Sequence, residues 1–113
     1  MKILVTNIGR RVYFVQFLLE LKKYFKNLKI FLTDNNLEIS ALKIKGVNRI
    51  RTPKVEKGKN KYLNNLFQIV KKNKISLLIP CTNYDLKILS FNKNKFIKYG
   101  CNVMVSRKDL IDS

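Results

Sequence analysis

The stretch that most constrains this chain is its start, where Lys2-Ile3-Leu4-Val5-Thr6 runs into Asn7-Ile8-Gly9 and then into an amphipathic segment. A short, nearly continuous apolar run suits a strand buried on both faces of a parallel sheet, because a half-exposed strand would alternate. From Val12 on, Phe14, Phe17, Leu18, Leu21 and Phe25 fall at i, i+3, i+4, i+7 and i+11, the spacing of one helical face. Strand, glycine turn and helix in that order put the turn at the strand's carboxyl end. Open α/β sheets bind ligands at that edge, where helix N-termini offer free N–H groups and a partial positive charge.

The unit then recurs. Lys29 to Thr33 reads as a second strand ended by Thr33-Asp34-Asn35-Asn36. Asn35 with Glu38 has the spacing of a capping box, which predicts a short helix over Leu37 to Lys43 that Gly46 ends. Asn48 to Arg51 reads as a third strand, placed at a sheet edge by Pro53 and the flanking charges. A basic loop, Lys54 to Asn60, precedes Leu63, Leu66, Phe67 and Val70, again at helical spacing. Ile75 to Ile79 is a fourth strand stopped by Pro80, which cannot donate to a ladder. Thr82 or Asn83 caps one further helix, with Leu86, Leu89 and Phe96 on its buried side and Gly100 at its end. Asn102 to Val105 is the fifth strand.

This alternation with short connections predicts an α/β fold, a Rossmann-like three-layer sandwich around a mainly parallel five-stranded sheet. At 113 residues the chain suits one small domain. Ser106 with Asp109 looks like the cap of a helix that Ser113 cuts short. The expectation is therefore a domain over 1–106, with 107–113 starting a connection to a missing one.

No stretch nears the roughly 20 apolar residues that a membrane span needs, and Met1 leads directly into a strand rather than a signal-type segment. The expectation is a cytoplasmic protein with no membrane partner. A net charge of +17 would ordinarily point to nucleic acid. Here lysine outnumbers arginine 19 to 5, and the lysines are scattered over polar faces apart from a cluster at Lys54 to Lys61. Without interleaved exposed aromatics, that pattern argues for solvated surfaces and against a phosphate-backbone groove.

Residues able to carry chemistry are few. The chain has no histidine, and Cys81 and Cys101 are too far apart in sequence for a zinc knuckle, so neither a metal site nor a Ser-His-Asp or Cys-His arrangement is expected. Cys81 leaves the carboxyl end of the fourth strand and Cys101 enters the amino end of the fifth. Five residues of rise separate them by roughly 16 Å, beyond the disulfide limit of about 7 Å, so both are expected as free thiols.

Against the dinucleotide fingerprint G-x-G-x-x-G, this chain offers Asn7, Gly9 and Val12, with only the middle glycine kept. Asn tolerates the left-handed conformation, but Val12 blocks close helix–sheet packing. Asp34 stands where a ribose-binding acid belongs. Arg10 and Arg11, in the first helical turn, oppose the helix dipole, so helix stability does not explain them. An anion does, and solvent exposure alone is the competing explanation. Asp34 and Asp85 begin as solvated caps that the topology gathers near Gly9 around one crevice.

Together, Val5-Thr6-Asn7-Ile8-Gly9-Arg10-Arg11-Val12-Tyr13, Thr33-Asp34, Leu78-Ile79-Pro80 with Asp85, and Val103 to Ser106 resemble the N-terminal, pre-ATP-grasp domain of ATP-grasp enzymes. The likeness is strongest to the carbamoyl phosphate synthase large subunit and its carboxylate-amine ligase relatives. The family loop commonly reads T-G-x-G-R-R, and Asn7 replaces its first glycine.

The resemblance implies that the parent is an ATP-dependent carboxylate-amine ligase. Its ATP and magnesium would be bound by the ATP-grasp domain, and the present chain alone would be inactive, with no cofactor of its own. This domain would form one wall of a cleft for a small-molecule substrate, contacted through Gly9, Arg10, Arg11, Asp34 and Asp85. Its partner would be the parent's ATP-grasp domain, and a homodimer is compatible with the same reading. A small dinucleotide-binding domain and a basic nucleic-acid-binding module are the alternatives.

Overall fold

The protein is seen in a computed structural model that describes residues 1–37, 45–54 and 59–104. Five strands form one all-parallel sheet in the order β3-β2-β1-β4-β5: β1 Lys2–Thr6, β2 Lys29–Asp34, β3 Asn48–Arg51, β4 Leu77–Pro80 and β5 Asn102–Val103. The helices are α1 Val12–Tyr24, α2 Lys59–Asn73, α3 Asn83–Phe91 and α4 Lys93–Lys98. The α/β sandwich read from the sequence is therefore the fold. The expected helix over Leu37 to Lys43, Val105, the Ser106 cap and the 107–113 connection fall outside the described residues, apart from Leu37, which lies in a turn.

The central position of β1 follows from its composition. Flanked by β2 and β4, it has Leu4 and Val5 fully buried, one towards each face. On one face Ile3, Val5, Ile30 and Leu32 pack with Val15 and Leu18 of α1. On the other, Leu4, Phe31, Leu78 and Val103 meet Tyr62, Leu66 and Val70 of α2, Ile88 and Leu89 of α3, and Phe96 of α4. At about 25 cal/mol per Å2 of apolar surface, each such fully buried aliphatic side chain contributes about 2 kcal/mol against the entropy of ordering.

Several local expectations change, among them the start of β4, which is Leu77 and not Ile75, and the end of β5, which is Val103. The buried stripe of α1 is centred on Val15 and Leu18, while Phe17, about 100° round the helix from Leu18, is 56% exposed and stacks on Phe14 at 6.5 Å. Phe25 lies past the end of α1 and is exposed as well. The single helix expected after β4 is two. Asn92 breaks it: its N–H bonds Leu89 O, its side chain bonds Ile88 O, and the turn lets Phe96 meet Phe67 at 4.4 Å. Finally, Pro80 belongs to β4, standing opposite Thr6 as the last residue of the ladder.

Gly100 ends α4 as expected, at φ +79. Its N–H reaches Ile97 O and that of Cys101 reaches Phe96 O, the paired bonds of a Schellman turn. Among the described residues no helix is long and apolar enough to cross a membrane.

Candidate functional site at the sheet's switch point

The strand order reverses direction at β1, which has β2 on one side and β4 on the other. The carboxyl end of such a switch point is where α/β sheets open a crevice. Here the floor of that crevice is filled by a hydrogen-bonded network. Just past β4, Thr82 caps α3 by accepting the Asp85 N–H at 3.1 Å. The Asp85 side chain, fully buried, reaches across to the end of β1. Its Oδ2 accepts from the Thr6 hydroxyl at 3.0 Å and from Asn7 Nδ2 at 2.7 Å, and its Oδ1 accepts from the Tyr62 phenol at 2.6 Å. Asn7 Nδ2 also donates to the Tyr62 oxygen at 3.0 Å. One carboxylate thus ties together β1, its loop, α2 and α3. Burial, and then the negative charge and hydrogen bond of Asp85, hold the Tyr62 phenol protonated well above the usual tyrosine range.

The loop above this network holds two residues in the left-handed region, Asn7 at φ +47 and Gly9 at φ +57. Asn is among the few residues with a side chain that enter this region readily. Its amide also supplies two hydrogen bonds that the glycine of the common family loop lacks. The turn is anchored on its other side to β2. Ile8 N–H bonds Thr33 O at 3.2 Å, and Gly9 N–H donates to Asp34 Oδ2 at 2.6 Å, while Asp34 Oδ1 takes the Asn36 N–H at 3.1 Å.

The structure therefore gathers Gly9, Arg10, Arg11, Asp34 and Asp85 at one sheet edge, but in different states. Neither aspartate is a solvated cap: Asp34 is 4% exposed, Asp85 is closed off, and both spend their oxygens on the loop and its surroundings. The arginines part company. Arg11 turns its Nη1 back onto the carbonyls of Asn7 and Ile8, at 3.2 and 3.1 Å, whereas the exposed Arg10 side chain bonds to no described residue. Beside them α1 begins without an acidic residue in its first turn or a side-chain cap, so its amino end keeps its positive potential.

Cys81 sits near the same network. Burial pushes its thiol up to about 11, with Arg11 pulling the other way and Asp85 adding to the rise. Cys101 is buried at the far edge of the sheet, and its thiol is likewise pushed up to about 11 by burial. Both cysteines are free. Leu77 stands opposite Asn102 and Leu78 opposite Val103, which sets the two thiols at opposite ends of neighbouring strands as expected. Among the described residues no group of three His, Cys, Asp or Glu side chains is placed to hold a metal ion.

Sequence reasoning missed Tyr62, Thr6 and the side-chain role of Asn7. A signal existed for Tyr62, which extends the Leu66–Val70 row of α2 back by one turn and so had to be buried with its hydroxyl. A search of curated proteins returns no match. A family model described as the PylC-like N-terminal domain matches residues 3–104, from β1 through the residue after β5. With the match covering the sheet, the switch-point network and the Gly-Arg-Arg turn, the chain belongs to the PylC-like N-terminal domain family, the pre-ATP-grasp domain of ATP-grasp carboxylate-amine ligases.

Proposed function

We propose that this domain forms one wall of the substrate cleft in an ATP-grasp ligase of the carbamoyl phosphate synthase large-subunit type, and that its Gly9-Arg10-Arg11 turn receives an anionic group of the substrate. The observation that carries the reading is the turn itself. Two buried aspartates fix a loop that points the exposed Arg10 and the uncapped start of α1 outward from the sheet's switch point. Arginine's planar fork suits a carboxylate or phosphate, and the N–H groups of the first helical turn add to it.

In this reading Arg10 and Arg11 contact the substrate and Gly9 lets the backbone approach it. Asp34 and Asp85 act through the loop that they hold. ATP and magnesium belong to the parent's ATP-grasp domain, which would activate a carboxylate for transfer to an amine, so this chain alone is inactive. The test is the Arg10→Ala, Arg11→Ala double variant of the parent ligase. KM for the substrate should rise about tenfold or more, the loss of a charge-assisted bidentate contact, while KM for ATP stays put. A double variant with unchanged substrate KM would overturn the assignment.

A further inference from the structure

The same sheet edge continues past Asp34 to the end of β3, where the chain leaves the ladder at Thr52 and Pro53. A cavity of about 420 Å3 lies there, lined by Asn35, Arg51, Thr52, Pro53, Lys54 and Lys61. Three of these six side chains are cations and none is a carboxylate. None of the three forms a salt bridge with a described residue. Asp34, which stands opposite Arg51 in the β2–β3 register, is already occupied by the amides of Gly9 and Asn36.

Packing does not explain the cluster, since Arg51, Lys54 and Lys61 are all exposed and repel one another. Two further features point to a ligand rich in acceptor oxygens. Thr52 is 2% exposed, and its hydroxyl has no hydrogen-bond partner; nor has that of Thr33 in β2, one strand inward. Buried hydroxyls are ordinarily satisfied, so two orphans behind the cavity wall mark a polar lining that the chain's own groups do not complete. In addition, the 15-residue α2 starts here with no acidic residue in its first turn, bringing Lys61 and a positive helix end to the same place.

We propose that this cavity is a second anion site, separate from the Gly9 turn, that binds the phosphoryl group of a small ligand. A carboxylate carries one negative charge and would leave most of the cluster uncompensated. A phosphate dianion offers more charge and three or more acceptor oxygens to a guanidinium and two ammonium groups.

Amide-resolved NMR of the 113-residue chain at constant ionic strength tests this, with inorganic phosphate, glycerol 3-phosphate and acetate as probes. Both phosphates should shift the Asn35, Arg51 and Thr52 amides saturably, and acetate should bind about tenfold more weakly or not at all. The tighter of the two phosphates tells a free ion from an ester. Arg51→Gln and Lys61→Gln should each weaken the phosphates about fivefold or more, and Lys98→Gln on α4 should leave them unchanged. The Arg10→Ala, Arg11→Ala variant should keep the Thr52 response in full, so the two anion sites stand or fall separately. An equal response to acetate, unsaturable shifts spread over the lysine-rich surface, or binding that survives Arg51→Gln and Lys61→Gln would overturn the site.

Discussion

Asp85 is the residue on which the switch point depends. It gathers three side-chain donors from positions 6, 7 and 62, so its loss leaves the buried Thr6 hydroxyl and Tyr62 phenol without their acceptor and takes one partner from the half-buried Asn7 amide. Removing one partner of a buried, charge-assisted group costs more than the group contributes when satisfied. Asp85→Ala should therefore lower stability by about 3 kcal/mol or more, and Tyr62→Phe, which removes one hydrogen bond to the carboxylate and one from the Asn7 amide, by about 1.5–3 kcal/mol. Urea denaturation of both variants checks the order. Equal stability of Asp85→Ala and the native chain would show that the network holds nothing in place. This role was not legible in the sequence. Asp85 sits three residues after a good cap and reads as a solvated helix start, and contacts across 78 and 79 positions leave no local trace.

Among the elements, the strands were the most legible, because a run buried on both faces has one physical solution while a helical stripe can be rotated. β1 and β3 have the expected limits and β2 extends one residue further to include Asp34, while β4 starts two residues later than expected, at Leu77, and β5 ends at Val103, short of the expected Val105. For α1 the expected face was partly right: Leu18 is buried and Phe14 and Leu21 pack against the same core, but Phe17 and Phe25 are exposed and Val15, outside the expected set, takes the fully buried place beside Leu18. The break at Asn92 was hidden for a similar reason. Leu89 and Phe96 are seven apart and fit one helix by spacing, yet the two pack into the same core from separate helices. At the start of α3 the sequence left Thr82 and Asn83 as alternative caps, and the hydrogen bond to Asp85 N–H selects Thr82. Thr82→Ala should cost about 1 kcal/mol, whereas Asn83→Ala, at an exposed helical position, should change stability by less than about 0.5 kcal/mol. Thermal melts of the pair would reverse this reading if Asn83→Ala proved the more damaging.

At the scale of the whole molecule, the all-parallel topology places the starts of α1, α2 and α3 at one edge of the sheet. The edge was foreseeable from the strand-turn-helix order alone, and so was the gathering of Gly9, Asp34 and Asp85 around it. The division of labour there was not, because it depends on which polar atoms are already satisfied. Asp34 and Asp85 are committed to the scaffold, Arg11 is half committed through its own loop carbonyls, and Arg10 is left over. The most direct measurement is a titration of the 113-residue chain with acetate and with sulfate at constant ionic strength, followed at the amides of Gly9 to Phe14 and repeated with Arg10→Ala. Saturable shifts confined to that turn and weakened about fivefold or more by Arg10→Ala, with the melting temperature unchanged, are the expected result. A turn that does not respond, or responds as strongly in Arg10→Ala as in the native chain, would contradict an anion-receiving turn at the switch point.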